Sequence, residues 1–320
     1  MQVLLVFLDG VGLGDDAPYN PFVAANLPTI RALLDGRTPL ASGVPVASAR
    51  ATLVGLDATL GVDGTPQSGT GQATLLTGKN AAAMHGRHFG PWVPAAIRPV
   101  LRSESILARA VSAGKRTAFA NAYPRELIEL MQDDADAEKK GVVRKRLPQF
   151  LRAGPPVAAA GAGLLTRDAA DILSGNAVAS EIVNDGWRDR LGHMELPDVT
   201  AREAGVALAA IAARHDLTLF AHYATDTAGH TQDLGQAVKS LERVDEFLGG
   251  LAGAIPPGIA VIVASDHGNI EDTRTDHTRN PAIGLFIGTG HAQNAARCAS
   301  LLDIAPLIMD LIGVAKSAAP

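Results

Sequence analysis

Apolar residues fall into short, nearly unbroken runs that are separated by segments with helical spacing. The runs at 2–8, 217–223, 259–265 and 283–288 are the clearest, and they are typical of strands buried on both faces of a sheet. A further run at 116–122 also predicts a strand. Because strands and helices alternate, the pattern predicts an α/β fold, a three-layer αβα sandwich with a largely parallel central sheet.

Helix-start signals locate several of the intervening helices. Pro28 is suited to the first turn of a helix, where its missing N–H costs nothing. Thr200 and Glu203 form a capping box ahead of an apolar helical run, and Ser300 and Asp303 repeat that spacing before the last one. Further helices are predicted over 71–78, 95–112 and 235–252.

Residues 126–195 differ from the rest of the chain. They hold a charged cluster (DDADAEKK, then RKR) and a stretch rich in Gly, Ala and Pro, without clear strand alternation. We interpret them as a small, mostly helical insertion, a cap or lid over the ligand-binding edge of the sheet. Residues 1–125 and 196–320 would then form a single α/β core. The pattern equally allows a surface excursion without a catalytic part.

Composition narrows the function classes. The chain has 320 residues, of which 47% are hydrophobic and 19% charged, as in ordinary globular proteins. Its net charge of −5 argues against nucleic acid or an anionic membrane as partner. Cys298 is the only cysteine, which excludes a disulfide framework and a cysteine metal site.

No apolar run approaches the roughly 20 residues that a membrane span needs. The N-terminal run has neither a basic region before it nor a small-residue cleavage site after it, as a signal peptide would. We therefore expect a cytoplasmic protein that does not bind membranes. The sequence does not indicate an oligomeric state.

Acidic residues follow three of the predicted strands. Asp9, Asp226 and Asp266 each lie one to three residues past the end of an apolar run. One such Asp is usually a turn former or helix cap, but three point to a shared purpose. Since ligands bind at the carboxyl ends of parallel strands, we expect the three to meet at one edge of the sheet. Three histidines accompany them: His230, His267 and His277.

This donor set indicates metal-assisted chemistry, with phosphate as the substrate group. Carboxylate and imidazole ligands without thiolate suit Zn or Mn, and three histidines disfavour Mg. Asp226 and His230 are four residues apart, so one turn of helix would place both side chains on the same face.

A glycine-rich segment at 66–72 leads into a helix and supplies two hydroxyls, Ser68 and Thr70. A hydroxyl at a helix start is well placed for nucleophilic attack, because the exposed amides favour developing negative charge. Coordination by a divalent ion can activate such a hydroxyl. The alternative reading is a helix N-cap without a chemical role.

A dinucleotide-binding oxidoreductase is a rival interpretation. Gly10 and Gly12 follow a strand, as that fingerprint requires. The third glycine is absent, since position 15 is Asp, and Asp9 would lie unfavourably close to a pyrophosphate. The pattern therefore disfavours this class.

Several motifs together resemble the alkaline phosphatase superfamily. FLDGVGLG, followed by LPTIRALL, is similar to the start of cofactor-independent phosphoglycerate mutase and phosphopentomutase. SGTGQATLLTG resembles the nucleophile helix of the wider superfamily, and TDTAGH, SDHGN and His277-Thr278 resemble its metal-binding elements. The resemblance covers roughly 1–80 and 215–290, and leaves the middle of the chain unmatched.

The resemblance implies a two-metal active site. Its nucleophile would be Ser68, ten residues before Gly78, with Thr70 as runner-up because some members use threonine. A phosphoserine, or a phosphothreonine, would form during the reaction. One implied metal site comprises Asp226, His230 and His277, and the other comprises Asp9, Asp266 and His267.

The resemblance leaves three functions open. The insertion is shorter than the caps of the two mutases, and a small cap makes it harder to keep water from an intermediate. We therefore expect a phosphatase or related phospho-ester hydrolase that acts on a small phosphorylated metabolite. The alternatives are a cofactor-independent phosphomutase and a non-catalytic metal-binding protein that retains the fold.

Phosphate substrates usually need cationic side chains in addition to metals. Two candidates, Arg87 and His88, follow the nucleophile helix. Two others, Arg274 and Arg279, flank His277. The alternative for each of the four is a solvated surface charge.

Overall fold

A computed structural model describes residues 1–139 and 152–314 of the chain. Within these residues a single seven-stranded sheet forms the centre of the molecule. Its strands are β1 (Gln2–Leu8), β2 (Val46–Ala47), β3 (Ala51–Leu56), β4 (Thr117–Phe119), β5 (Leu217–His222), β6 (Ile259–Ala264) and β7 (Ala282–Gly288).

The sheet is mostly parallel, as the sequence predicts. In the order β2-β3-β7-β6-β1-β5-β4, strands β6, β1, β5 and β4 pair in parallel. Strand β7 runs antiparallel to both β6 and β3, and β2 runs antiparallel to β3. The reversal of β7 follows from its connection: a parallel partner needs a crossover, usually a helix, whereas residues 265–281 form a loop without one.

The helices cover both faces of the sheet. Among those of the described residues, none has both the length and the apolar character that crossing a bilayer requires. They are α1 (Pro21–Ala24), α2 (Pro28–Leu33), α3 (Ser68–Thr77), α4 (Ala81–His85), α5 (Arg98–Glu104), α6 (Ile106–Ser112), α7 (Arg125–Lys139), α8 (Gly154–Gly161), α9 (Ala169–Leu173), α10 (Ala201–Ala212), α11 (Ala224–His230), α12 (Leu234–Ala254), α13 (His291–Ala295) and α14 (Ile304–Leu311).

Alternation along β1 divides the core between the two faces. Val3, Leu5 and Phe7 pack in one apolar cluster with side chains of α3, α5, α6, α8 and α14. Leu4 and Val6 point the other way, into a cluster formed with α1, α2, α10 and α12. Each fully buried side chain of this size contributes about 1.5–3 kcal/mol. The two clusters make the fold an αβα sandwich, as expected from the sequence.

Some boundaries differ from the sequence predictions. The single helix predicted over 95–112 is two helices, because Ser105 has extended backbone and its side chain accepts a hydrogen bond from Ala108 N, which caps α6. The helix predicted at 71–78 begins earlier, at Ser68, since the extended Gln67 precedes it. Both capping boxes, at Thr200 and Ser300, are present.

Where it is described, the predicted insertion at 126–195 contains helices α7, α8 and α9 separated by loops. Helix α8 buries Val157 and Ala158 in the same apolar cluster as α3 and α5. Farther along, Ile172 and Trp187 form a small separate cluster with Ala122. The RKR cluster lies outside the described residues, and the division into core and insertion stays a prediction.

Candidate metal centre and nucleophile

The three predicted carboxylates meet at one edge of the sheet. Asp9 directly follows β1, Asp266 lies two residues past β6, and α11, which begins two residues after β5, carries Asp226. Strands β6, β1 and β5 are parallel neighbours, so their carboxyl ends lie side by side. The sheet topology therefore brings together residues that are up to 257 positions apart in sequence (266 − 9).

One ligand group comprises Asp9, Asp266 and His267, which are all buried. Each offers a donor atom, and these atoms lie within 4.8 Å of one another. His267 Nε2 is 3.4 Å from Asp9 Oδ1 and 3.7 Å from Asp266 Oδ2. Ligands that lie about 2.0 Å from a tetrahedral ion are about 3.3 Å apart, so this spacing suits one cation.

A second group comprises Asp226, His230 and His277. His230 Nε2 is 3.1 Å from Asp226 Oδ2, which is the one-turn pairing on α11 that the sequence predicts. His277 Nε2 lies 3.2 Å from His230 Nε2 and 3.7 Å from Asp226 Oδ1. The long loop between β6 and β7 delivers His277 to this position.

The two groups are immediate neighbours. His267 Nε2 is 4.0 Å from Asp226 Oδ1, and the rings of His267 and His277 stack with their centroids 4.0 Å apart. Asp226, His267 and His277 also offer donor atoms within 4.8 Å of one another. The arrangement fits a pair of closely spaced cations.

The electrostatics of the first group also fit a cation. Asp9 Oδ1 and Asp266 Oδ2 are buried and accept no hydrogen bond from the described residues. Burial and the neighbouring carboxylate of Asp266 raise the pKa of Asp9 well above its ordinary value. Burial lowers the pKa of His267, but the carboxylates, Asp266 foremost, outweigh it and raise that pKa to about 10. Asp9, Asp266 and the neighbouring Asp226 thus concentrate negative charge that keeps a proton bound. A divalent cation would neutralise this charge more effectively.

The second group is more polar and more accessible. Burial opposes ionisation of Asp226, but the hydrogen bonds with His230 and Asn269 and the charge of His267 together outweigh burial and lower the pKa to about 2. Burial, together with the neighbouring His267, lowers the pKa of His277 to about 4. A carboxylate and a neutral imidazole are the forms that bind a metal.

Each histidine is oriented through its second ring nitrogen, as is usual for metal ligands. His230 Nδ1 is 2.9 Å from Asp276 Oδ1, His277 Nδ1 is 3.1 Å from Pro66 O, and His267 Nδ1 is 3.1 Å from Gly268 O. Sequence reasoning missed Asp276, although its position directly before His277 in TDHTRNP could have indicated it.

Two glycines permit the close packing of the site. A Cβ at Gly71 would lie 2.7 Å from Asp266 O, so only glycine lets α3 approach the metal loop. A Cβ at Gly229 would lie 2.6 Å from the side chain of Asn269. That side chain donates to Asp226 Oδ1 at 2.7 Å and holds the carboxylate in place.

A buried glutamate, Glu271, ties together the segments that carry the ligands. Its Oε2 accepts hydrogen bonds from Gly12 N at 2.9 Å and Asn269 N at 2.8 Å. Its Oε1 accepts from Thr278 Oγ1 at 2.5 Å and Asn280 Nδ2 at 3.1 Å. The residue joins the loop after β1 to the loop that carries His277. Sequence reasoning missed it because it precedes no motif and touches no ligand.

We expect Glu271→Gln to weaken metal binding by about 10–100-fold without removing a ligand. All four groups that hydrogen-bond to the Glu271 carboxylate are donors. In either orientation of the glutamine amide, its own N–H groups would therefore face N–H or O–H donors. Isothermal titration with Mn or Zn measures the effect, and Glu203→Gln in the surface capping box of α10 is the matched control. Unchanged affinity in Glu271→Gln would show that the ligand loops keep their positions without this carboxylate.

Ser68, the first residue of α3, lies against the first ligand group. Its Oγ is 2.9 Å from His267 Nε2. One turn later Gln72 Nε2 donates to Asp9 Oδ2 at 3.0 Å, which fixes the helix against the carboxylates. The hydroxyl therefore stands at a helix N-terminus and beside both ligand groups, where attack on phosphorus would be supported.

Thr70, the runner-up, is placed differently. Its hydroxyl lies 3.3 Å from Gln67 O and accepts a hydrogen bond from Phe89 N at 3.1 Å. The side chain is fully buried and holds the following loop to α3. Ser68 thus contacts a residue of the ligand groups, whereas the Thr70 hydroxyl is engaged with backbone groups, and the identity of the reacting hydroxyl stays a prediction.

The four cationic candidates lie around the site rather than in it. Arg274 pairs with Asp272 at 2.7 Å and stacks over the ring of Tyr19, and Arg279 donates to Gly64 O. His88 Nε2 is 3.1 Å from Thr59 O, and with Arg87 it lines an open groove of about 470 Å³ next to Gln67. Their role as substrate contacts stays a prediction.

Comparison with known proteins agrees with this geometry. A family model described as the Metalloenzyme superfamily matches residues 193–316, the part that supplies five of the six proposed metal ligands. The 2,3-bisphosphoglycerate-independent phosphoglycerate mutase of Desulforudis audaxviator is 39% identical over 128 residues, which are 38% of this chain and 25% of that protein. The chain spans about a quarter of the length of the curated relatives it matches.

Solved structures share the fold along nearly the whole chain. The alkaline phosphatase of Thermus thermophilus superposes with a TM-score of 0.53 at 14% identity, covering 98% of this chain and 92% of that one. The alkaline phosphatase from the Antarctic bacterium TAB5 gives a TM-score of 0.50 at 12% identity, covering 98% of both chains. Residues 193–316 are thus similar to the Metalloenzyme superfamily, and the chain has the fold of the alkaline phosphatases.

Proposed function

We propose that the chain is a two-metal phosphoryl-transfer enzyme that hydrolyses phosphate esters of small metabolites through a phosphoserine at Ser68. The observation that carries the proposal is the 2.9 Å contact between Ser68 Oγ and His267 Nε2. His267 belongs to one ligand group and borders the other. A hydroxyl in that position can attack a phosphoryl group that both cations contact.

The donor set suits two divalent cations, Zn or Mn, and suits Mg less. Asp9, Asp266 and His267 would hold one of them. The other would be held by Asp226, His230 and His277. Bound there, the cations would lower the pKa of the Ser68 hydroxyl and offset the negative charge of the phosphoryl oxygens.

The chain's own groups account for the remaining steps. Ser68 loses its proton to solvent, and its oxygen attacks phosphorus on the side opposite the leaving alcohol. The phosphorus–oxygen bond to the alcohol breaks, and the alcohol takes up a proton from solvent. The N-terminus of α3 favours the negative charge of the phosphoryl group. Water then cleaves the phosphoserine, which restores the Ser68 hydroxyl and releases inorganic phosphate.

The accessibility of the second ligand group to solvent supports water as the acceptor of the phosphoryl group. The side chain of His230 is 44% exposed, and that of Asp276 is 69% exposed. Water therefore reaches the phosphoryl site from the His230 side. A phosphomutase is the second candidate, because the curated relative that shares 39% identity carries that name.

The test is an assay of the purified chain, stripped of metal and reloaded with Mn or Zn. A panel of phosphomonoesters, phosphodiesters and sugar phosphates is supplied, and both inorganic phosphate and isomeric phosphate esters are quantified. We expect metal-dependent release of inorganic phosphate. Isomeric esters without free phosphate would identify a mutase. Two bound cations with neither product would indicate a non-catalytic metal-binding protein.

A further inference from the structure

A cavity of about 300 Å³ opens directly against Ser68 and shares two carboxylates with the metal centre. Because it borders both Ser68 and two carboxylates of the metal centre, the alcohol portion of a bound ester would have room to lie in it. The two shared carboxylates are those of Asp9 and Asp226.

Contacts with α3 hold the walls of this cavity in place. A Cβ at Gly69 would lie 2.1 Å from Trp92 O, so the segment carrying Trp92 packs directly on the nucleophile helix. On the other side, Gly154 N donates to Gln72 Oε1 at 2.7 Å and fixes the neighbouring Ala153. The cavity and the nucleophile are therefore parts of one rigid arrangement.

The wall of the cavity is aromatic and uncharged apart from the two metal-site carboxylates. Trp92, Tyr123 and Tyr223 supply three rings, and Pro91 and Ala153 add apolar surface. Within the described part of the chain, no Lys, Arg or His lines it. Flat apolar surfaces of this kind suit a ring, and the nearby hydroxyls suit its polar substituents.

The two tyrosines do not provide a charge that could pair with a charged group of the substrate. Burial raises the pKa of Tyr123 to about 12, and burial with the neighbouring Tyr123 also raises the pKa of Tyr223. Both hydroxyls stay protonated and can donate hydrogen bonds, but a carboxylate placed among them would meet no Lys, Arg or His of the described lining. An unpaired carboxylate in an apolar site is disfavoured, because it loses its hydration without gaining a partner.

We infer that this cavity selects phosphate esters whose alcohol portion is an uncharged ring, and that it rejects esters carrying a carboxylate there. The inference rests on the proposed function, and it adds the substrate class. It disfavours phosphoglycerate as a substrate, because its carboxylate would meet no Lys, Arg or His of the described lining.

A matched pair of esters tests the inference. 4-Carbamoylphenyl phosphate and 4-carboxyphenyl phosphate have the same shape and differ in charge. We expect kcat/KM for the carbamoyl ester to exceed that for the carboxy ester by about 100-fold or more, with most of the difference in KM. Equal or faster turnover of the carboxy ester overturns the inference and leaves the proposed hydrolysis intact.

Introducing a cationic side chain at the rim of the cavity gives a second test of the inference. Thr227 is exposed at the edge of the cavity, and Thr227→Arg would place a guanidinium within reach of the carboxylate. We expect the ratio of the two kcat/KM values to narrow by about tenfold or more. Thr166→Arg, an exposed threonine that does not line the cavity, is the control and should leave the ratio unchanged. A ratio that stays the same in Thr227→Arg counts against the inference.

A binding measurement separates failure of the inference from failure of the proposed function. In a Trp187→Phe background, Trp92 is the only tryptophan of the chain. We expect 4-hydroxybenzamide, and not 4-hydroxybenzoate, to quench its fluorescence in the metal-loaded protein. Selective quenching without turnover of either ester would refute hydrolysis but support the cavity's preference. Turnover with equal quenching by both compounds would refute the preference alone.

Discussion

Ser68→Ala is expected to lower the rate of phosphate release by about 10³-fold or more. The substitution removes the oxygen that would form the phosphoserine but keeps the helix and both ligand groups. Loss of a covalent nucleophile typically has an effect of this size or larger, with residual turnover from direct attack by water. Single-turnover kinetics, with mass spectrometry of acid-quenched enzyme for the phosphoryl adduct, measures both consequences.

Thr70→Val is the companion variant. It removes the runner-up hydroxyl, together with the bond that Thr70 Oγ1 accepts from Phe89 N, so we expect a loss of stability of about 1–3 kcal/mol but persistence of the adduct. Metal content, measured in parallel, confirms that neither variant acts through a lost cation. Full hydrolysis by Ser68→Ala, with the adduct abolished in Thr70→Val, would transfer the role to Thr70.

Asp266→Asn is expected to remove one cation from the chain and to abolish phosphate release. Asp266 is fully buried and is one of three ligands in the first group, so its loss leaves a single carboxylate and one imidazole there. The measured metal content should fall from two ions per chain to one. The wild-type protein should be stabilised on metal addition by about 2.7 kcal/mol for each site at a free concentration of 100 Kd, and the variant by about half of the total.

In the metal-free protein, Asp266→Asn should not lower the stability. Asp9 and Asp226 are like charges close to Asp266, and their repulsion helps to raise the pKa of buried carboxylates in this cluster. Removal of one charge should therefore leave the metal-free variant at least as stable as the metal-free wild type. Asp245→Asn, which alters a buried carboxylate that accepts from Thr29 N and Ile30 N away from the site, should destabilise both forms equally. Two retained ions in Asp266→Asn would remove Asp266 from the ligand set.

The sequence was a good guide to the strands of the sheet and to the polar residues at their ends. The runs at 2–8, 217–223 and 259–265 match β1, β5 and β6 to within a residue, because long aliphatic runs have few alternatives to burial. The two strands at one end of the sheet, β2 and β3, were missed. They are short or interrupted by polar residues and Gly55, so they depend on pairing, of β3 with β7 and of β2 with β3, rather than on local preference.

The candidate site shows the same division. Residue type and position after a strand indicated Asp9, Asp226 and Asp266, and helical spacing indicated the pairing of Asp226 with His230. Glu271, Asn269 and Gln72 escaped notice, because each acts through hydrogen bonds to segments far away in sequence. Nothing in their local sequence distinguishes them from ordinary polar residues.

The order of amino acids alone determined the alternation of strands and helices, and the acids and imidazoles that follow the buried strands. These depend on local periodicity and on residue type, which the chain carries wherever it folds. Contacts between distant segments determine the other features: the reversed direction of β7, the approach of Ser68 to His267, the support from Glu271 and the aromatic cavity beside Ser68. Such features are distances across the sheet edge, and they exist only once β6, β1 and β5 lie side by side.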